Sequence, residues 1–278
     1  MVNNQTDQLG TLHSFESTPK RIVSLVPSQT ELLYDLGLEV SIVGITKFCV
    51  HPFHFKATKS IVGGTKNVNF DKIKALQPDI IIANKEENTK EMVEQLNTIC
   101  PVWVTDIITI NDNLQMISDF GKLFNKRTEA QKWSDKINFA YQDFQNFIKD
   151  TRGIAEQSGA KATQKVAYFI WANPYMVAGK NTFINELLKL NKFENIYENK
   201  EERYPEIIIQ KIRIQGDPDI VLLSSEPFPF KDEHAFEIGR FTHHAKTVFV
   251  DGEMFSWYGT RILKAFDYFK KLHLRLLE

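Results

Sequence analysis

Residues 72–82 read KIKALQPDIII, and residues 211–222 read KIRIQGDPDIVL. In both stretches a Pro-Asp pair leads directly into a run of apolar, mostly β-branched residues, which is typical of a fully buried strand. The pairs Pro78-Asp79 and Pro218-Asp219 lie 140 positions apart. This internal repeat predicts two similar lobes that face each other across a cleft.

Around the first stretch, strand-like and helix-like patterns alternate. Strands are predicted at residues 22–26, 40–45, 80–83 and 102–105, and helices at residues 71–76, 89–96 and 113–124. Ser28 and Glu31 fit a capping box that opens a further helix, and Gly37 fits its C-terminal cap. This alternation predicts an α/β fold with mainly parallel strands flanked by helices.

The same order returns in the second half of the chain. Strands are predicted at residues 166–170, 220–224 and 248–250, and helices at residues 182–190, 206–212 and from residue 260 to the end. Asn173-Pro174 predicts a turn between the first of these strands and the first helix. The second half therefore predicts a second α/β lobe.

One long helix is predicted to join the two lobes. From residue 127 to about residue 149 there is no Gly or Pro, and apolar residues recur at three and four positions: Trp133, Ile137, Ala140, Phe144 and Phe147. The polar stretch 151–164 after it marks a lobe boundary. The predicted organisation is an extension (1–18), an N-terminal lobe (19–126), a connector helix (127–150) and a C-terminal lobe (151–278).

Composition narrows the function classes. A chain of 278 residues, 42% hydrophobic and 25% charged, is long enough for two lobes of roughly 120 residues and too apolar for disorder. The formal net charge of -1 supplies no basic field for nucleic acid, so no nucleic-acid partner is expected. The sequence also lacks the GxSxG, GxGxxG, P-loop and HExxH motifs.

Two clusters of side chains raise the question of metal binding. Cys49, His51 and His54 offer three soft ligands within six residues, which suits zinc if a fourth ligand arrives and otherwise forms a solvated rim loop. His243-His244 would diverge on a strand and lie at the surface. The two cysteines, Cys49 and Cys100, are predicted to be free thiols, with one disulfide as the alternative.

Aromatic residues are concentrated in predicted loops, where packing alone does not require them. They are Phe48, Trp171, Tyr175, Tyr204, Trp257 and Tyr258. Loops after parallel strands are where open α/β sheets bind ligands. The pattern favours a cleft that is lined by rings from both halves of the chain.

Combined motifs give the chain a specific resemblance over about residues 19–272. In the first half they are RIVSLVPS (21–28), TE (30–31), VG (43–44), Pro52, VGG (62–64), Ile73, Leu76 and PD (78–79). In the second half they are NPYMVAG (173–179), ELL (186–188), EN (194–195), RYPE (203–206), PD (218–219), EPFPF (226–230) and DGEMFSWYGTR (251–261). The chain resembles the vitamin B12 and iron-siderophore binding proteins of ABC importers, in their cobalamin-receptor-like branch.

This resemblance implies a monomeric receptor that performs no chemistry and needs no cofactor or metal of its own. It would capture a large small-molecule ligand between two lobes and present it to an ABC permease. Phe48 takes the place of a ring that contacts the corrin, and Tyr204 and Trp257 match the opposite aromatic wall. Arg261 and Tyr258 are candidate donors to the peripheral groups of the ligand. Trp171 is expected near a bound chromophore.

The sequence also departs from the family pattern. Thr65 and Asn84 stand near positions where the enterobacterial receptor has tryptophans, which leaves room for an iron-siderophore, heme or a cobamide variant. Thr65 is a candidate ligand-binding residue. In the family, one acidic residue on each lobe docks the permease. Asp71 keeps that charge, whereas Gln210 occupies the second position and Glu206 is the candidate substitute.

The compartment is not decided by the sequence. The first twenty residues are polar, and no stretch approaches the ~18 apolar residues that span a bilayer. Either a signal peptide or lipid anchor was removed from a protein that works outside the cytoplasmic membrane, or the protein is cytoplasmic. The alternatives to a corrinoid receptor are an iron-siderophore or heme receptor, a direct metal-ion receptor, a cytoplasmic corrinoid- or metal-handling protein, and an α/β enzyme.

Overall fold

The computed structural model describes residues 3–157 and 163–277. The chain forms two compact units. The first consists of Met1–Asn138 with Tyr258–Ile262, and the second of Phe139–Trp257 with Leu263–Glu278. The short segment Tyr258–Ile262 thus packs with the first unit although it lies near the end of the chain. The lobe boundaries predicted above stay a prediction.

The first unit is built on a parallel sheet. The unit begins with a separate antiparallel hairpin of β1 (Asn3–Thr6) and β2 (Leu12–Phe15). The strands that follow are β3 (Ile22–Ser24), β4 (Ile42–Ile45), β5 (Ser60–Ile61), β6 (Ile80–Asn84) and β7 (Val102–Thr105). The last five pair in the order β5-β4-β3-β6-β7, and every pair is parallel. Strand order therefore reverses between β3 and β6, where ligands bind in folds of this kind.

Helices flank this sheet. They are α1 (Pro27–Asp35), α2 (Phe55–Thr58), α3 (Phe70–Ala75), α4 (Lys90–Leu96) and α5 (Ile110–Leu123). Val23, Ile81 and Ala83 of the sheet are fully buried in one cluster with Ile73 of α3 and Leu96 of α4. The apolar runs read from the sequence are therefore the core of the first unit.

The second unit repeats the arrangement. Its strands are β8 (Gln164–Trp171), β9 (Met176–Val177), β10 (Phe193–Asn195), β11 (Ile220–Ser224) and β12 (Lys246–Val250). The order is β10-β8-β11-β12 with parallel pairs, and β9 pairs antiparallel with β8. The helices are α6 (Arg127–Gln157), which begins in the first unit, then α7 (Phe183–Leu190), α8 (Asp232–Gly239), α9 (Gly252–Ser256) and α10 (Ile262–Leu277).

The sequence repeat corresponds to a structural repeat. The Asp79 carboxylate accepts hydrogen bonds from the Lys20 and Arg21 amides at 2.8 and 3.0 Å, just before β3. The Asp219 carboxylate accepts one from the Lys165 amide at 2.7 Å, at the start of β8. Each aspartate thus binds the neighbouring strand of its own sheet, so the Pro-Asp pair fixes the alignment of two strands in both units.

The predicted connector helix is confirmed and is longer than expected. It runs as α6 from Arg127 to Gln157 and passes through Gly153, which was expected to lie beyond it. A glycine costs about 1 kcal/mol relative to alanine in a helix, which one long helix tolerates. The rest of the predicted boundary segment includes residues 158–162, which lie outside the described residues.

One helix prediction and one helix-capping prediction are wrong. Residues 206–212 form only a short 3-10 turn, Ile209–Lys211, because Glu206 pairs in an isolated bridge with Met176 and the Ile207 amide donates to the Tyr175 carbonyl. These contacts hold the chain extended there. The Ser28–Glu31 capping box is absent, since α1 begins at Pro27 and its N-cap residue, Val26, has no side-chain acceptor.

One further local prediction is confirmed, and another is confirmed only in part. Gly37 ends α1 as expected, with φ of 75° and its amide donating to the Tyr34 carbonyl. His243 and His244 are exposed as expected, but they do not diverge, because they lie outside a strand with ring centroids 4.1 Å apart.

His273 of α10 makes the stability of the second unit dependent on pH. Its ring stacks on Phe193, and burial lowers the pKa of this imidazole from 6.5 to about 4. As pH falls, the His273 imidazole is therefore protonated in the unfolded chain before it is protonated in the folded protein. We expect the free energy of unfolding to fall as pH drops from 6.5 to about 4, by up to about 1.4 kcal/mol per pH unit. Urea unfolding at a series of pH values should show a flatter profile for His273→Gln. The exposed His243→Gln serves as control, and equal slopes for wild type and His273→Gln would contradict the assignment.

Candidate ligand-binding site

In the first unit, hydrogen bonds connect the loops that follow β4, β5 and β6. The Lys47 amide donates to the Gly63 carbonyl at 2.8 Å, and the Asn88 side chain donates to the Thr65 carbonyl at 2.8 Å. Phe48 stands on these loops with 49% of its surface exposed. The Lys47 ammonium lies 5.0 Å from the centre of the Phe48 ring, a cation–π distance.

Gly64 shapes the surface beside this ring. A Cβ atom added at Gly64 would lie 3.2 Å from the Phe48 ring and 3.7 Å from the Lys47 chain. A larger residue would therefore crowd Phe48. The sequence predicted Phe48 and Thr65 as site residues, and the bonded loops bring their backbone segments together. Their roles toward a ligand stay predictions.

Asn84, at the end of β6, forms hydrogen bonds that stabilise the local structure. Asn84 is buried, and its side-chain N–H groups donate to the carbonyl and hydroxyl oxygens of Thr105 at 3.1 and 3.0 Å. Its side-chain oxygen accepts a hydrogen bond from the Glu86 backbone amide at 2.8 Å. Asn84 thereby fixes the loop after β6.

Tyr258 and Arg261 are buried in the first unit. The Arg261 guanidinium forms a bidentate ion pair with Glu31, at 2.7 and 2.8 Å. The Gln29 side chain donates to the Tyr258 hydroxyl at 3.2 Å, and burial raises the pKa of this phenol. Both candidate donors therefore have partners within the unit, and their contact with a ligand stays a prediction.

In the second unit, aromatic rings lie at the carboxyl ends of β8 and β11. Trp171 ends β8 and is 40% exposed, and its ring packs edge-on against Phe228 with centroids 5.5 Å apart. Phe228 in turn contacts Phe230 and His234, at 5.0 and 5.1 Å. We call Trp171, Phe228, Phe230 and His234 the ring wall. It runs from the surface at Trp171 to the buried Phe230.

Sequence reasoning missed Glu226, as well as most of the ring wall. The Glu226 Oε1 atom accepts hydrogen bonds from the Trp257 indole at 2.7 Å and from the Ser256 hydroxyl at 3.1 Å. Burial raises the pKa of the Glu226 carboxyl, Asp251 and Glu253 add to this effect, and the two hydrogen bonds oppose it. In the sequence, Glu226 stands in the EPFPF motif, which contributed only to the family resemblance.

The other predicted residues have these positions. Trp257 is only 7% exposed, and Tyr204 is half-buried on a segment whose Arg203 carbonyl accepts from the Gly179 amide at 2.7 Å. Asp71, in the first turn of α3, and Glu206 are both exposed, as a docking role requires. Docking itself stays a prediction.

The suggested metal cluster in the first unit is dispersed. Cys49 is buried with its sulfur 3.1 and 3.3 Å from the Thr30 and Thr46 hydroxyls, and His54 Nε2 lies 2.7 Å from the Glu39 carboxylate. Cys49 and Cys100 are free thiols, as predicted. Across residues 3–157 and 163–277, no group of three or more His, Cys, Asp or Glu side chains could hold a metal ion.

Within the described ranges, no helix combines the length and the apolar character that crossing a membrane requires.

Comparison with known proteins identifies the class. A family model described as periplasmic binding protein matches residues 22–247. The chain is 24% identical over 250 residues to the vitamin B12-binding protein of Pectobacterium atrosepticum, covering 89% of this chain and 86% of that protein. It is 28% identical over 183 residues to an uncharacterized ABC transporter substrate-binding lipoprotein of Bacillus subtilis, covering 66% of this chain and 57% of the relative.

A solved structure shares the fold. A periplasmic heme-binding protein of Pseudomonas aeruginosa superposes with a TM-score of 0.76 at 20% identity, over 92% of each chain. The chain therefore belongs to the periplasmic binding protein family. This confirms the predicted resemblance and the two-lobed α/β architecture with a long helix. It also makes the chain a substrate-binding protein of the ABC-transporter class rather than an enzyme.

Proposed function

We propose that this chain captures cobalamin or a related corrinoid for an ABC importer, and that exposed aromatic rings contact the ligand. The observation that carries the proposal is the pair of large exposed rings at the carboxyl ends of the two sheets, Phe48 in the first unit and Trp171 in the second. Rigid rings bind a flat, partly apolar macrocycle at low entropic cost. The similarity to vitamin B12-binding proteins supports this choice of ligand.

The proposal includes a partner and a location. An ABC permease would receive the ligand, with Asp71 and Glu206 as docking residues, because both carboxylates are exposed. The protein would act outside the cytoplasmic membrane, which the family description and the lipoprotein relative support. That the chain works as a monomer without a nucleic-acid partner stays a prediction.

Heme is the second candidate, favoured by the likeness in fold to a heme-binding protein. The ring wall contains one histidine, His234, whose Nδ1 atom accepts a hydrogen bond from the Lys231 amide at 3.1 Å. In the neutral ring Nε2 then carries the proton and has no lone pair for iron. His234 is thus poorly prepared to be an axial ligand, which favours the corrinoid.

The direct test is a titration of the purified protein with cyanocobalamin, followed by tryptophan fluorescence and confirmed by calorimetry. One-to-one binding at or below micromolar concentration is expected. Hemin and a ferric siderophore are titrated in parallel. Absence of corrinoid binding, together with saturable binding of either rival, would transfer the proposal to that ligand.

Trp171→Ala is expected to weaken cyanocobalamin binding by about 1–3 kcal/mol, because it removes a rigid ring from the proposed contact surface. Calorimetry on the variant measures this loss. Phe236→Ala is the matched control, since Phe236 is an exposed ring of the same unit outside the ring wall. Equal affinities of Trp171→Ala and Phe236→Ala would remove Trp171 from the site.

A further inference from the structure

We propose that Glu226 is a specificity-determining residue, which accepts hydrogen bonds from N–H groups on the ligand and disfavours ligands with peripheral carboxylates. This inference rests on the proposed function and narrows its substrate class. A corrin with amide side chains would be selected over a porphyrin or chelate with carboxylate side chains.

The two oxygens of Glu226 have different surroundings. Oε1 is held by the Trp257 indole and the Ser256 hydroxyl, at 2.7 and 3.1 Å. Within residues 3–157 and 163–277, no hydrogen bond or ion pair engages Oε2, and this atom is not completely buried. One oxygen therefore fixes the carboxylate, and the other is open to accept a hydrogen bond from a bound molecule.

The backbone around Glu226 is also fixed. The Ser224 hydroxyl donates a hydrogen bond to the Glu226 backbone carbonyl. The Glu226 backbone amide in turn donates to the Ser224 hydroxyl oxygen at 3.3 Å. A Cβ atom added at Gly252 would lie 2.5 Å from the Glu226 side chain, so α9 begins in direct contact with it. Phe228 of the ring wall follows two residues later. The open oxygen is therefore carried on the same short segment as one ring of the ring wall.

The local charge gives the direction of the selectivity. Among the described residues no cation pairs with Glu226, and Asp251 and Glu253 lie close enough to add negative potential. A carboxylate on the ligand would be repelled there, because like charges in close contact are unfavourable. An amide N–H supplies the donor that the open oxygen requires, and a hydrogen bond to a charged group is stronger than one between neutral groups.

The test compares Glu226→Gln with wild type. Glutamine keeps a carbonyl oxygen for the Trp257 and Ser256 donors but replaces the open oxygen with an NH2 group, which cannot accept. Calorimetry should show cyanocobalamin affinity reduced at least tenfold, and hemin affinity unchanged or increased. Glu233→Gln, an exposed carboxylate in the first turn of α8, is the matched control.

A second measurement needs no variant. Wild type is titrated with a corrin that carries amide side chains and with the same corrin carrying carboxylates, and at least tenfold preference for the amide form is expected. Equal binding of the two corrins, or a change within twofold for Glu226→Gln, would overturn the role of Glu226 while leaving the proposed function intact. Absence of all corrin binding by wild type would overturn both.

Discussion

Replacing Arg261 with alanine is expected to lower the free energy of unfolding by about 3–5 kcal/mol, because it leaves a buried carboxylate without its partner. The Arg261 and Glu31 side chains are 3% and 8% exposed, and they meet through two hydrogen bonds of 2.7 and 2.8 Å. The pair joins α1 to the segment Tyr258–Ile262. Removing one partner costs more than the pair itself contributes, since the remaining charge stays desolvated.

Urea unfolding followed by circular dichroism measures this effect. Lys90→Ala is the control, because its 3.8 Å pair with Glu94 is exposed and is expected to contribute less than about 0.5 kcal/mol. The double variant Glu31→Gln with Arg261→Met should recover most of the loss, because no unpaired charge remains. If Arg261→Ala were as stable as Lys90→Ala, the ion pair would have no structural role.

Phe144→Ala is expected to destabilise the protein by about 3–5 kcal/mol, through the cavity it opens in the second unit. Phe144 of α6 is fully buried, and its ring lies 5.6 Å from Phe266 and 5.9 Å from Phe269 of α10, measured between centroids. This cluster attaches the long helix to the terminal helix. Its loss should therefore loosen the end of α6 that belongs to the second unit.

The same helix supplies a control for this prediction. Phe139 is 78% exposed on α6, so Phe139→Ala is expected to change stability by no more than about 0.5 kcal/mol. Urea unfolding of the two variants in parallel separates burial from helix propensity, since the chemical change is identical. Equal destabilisation by both substitutions would show that the Phe144 cluster is not what holds α6.

Local patterns in the sequence predicted much of the fold. The apolar runs after Pro78-Asp79 and Pro218-Asp219 became β6 and β11, and the uninterrupted amphipathic stretch from Arg127 became α6. These features depend on side-chain periodicity and on buried apolar residues, which are written in adjacent positions. The prediction failed at residues 206–212, where pairing with Met176 and Tyr175 overrode a helical pattern.

The candidate site was predictable only in part. Phe48 and Trp171 could be predicted as candidates because they follow buried apolar runs, at the sheet edge where open α/β folds bind ligands, and both rings are partly exposed. Glu226 could not, because a single glutamate after a strand carries no signal until Trp257 is seen to donate to it at 2.7 Å. The partners of Arg261 and Tyr258 were hidden for the same reason, since Glu31 and Gln29 lie more than 200 positions away in the chain.

The sequence by itself determined the α/β class, the internal repeat, the long helix and the family resemblance. Each of these depends on the order and spacing of residues along the chain. Only the tertiary structure decided that Tyr258–Ile262 packs in the first unit, that Arg261 is paired with Glu31, and that Glu226 has one fixed and one open oxygen. These features depend on contacts between residues far apart in sequence. Such contacts form only in the folded chain, where side chains are buried and buried polar groups form hydrogen bonds.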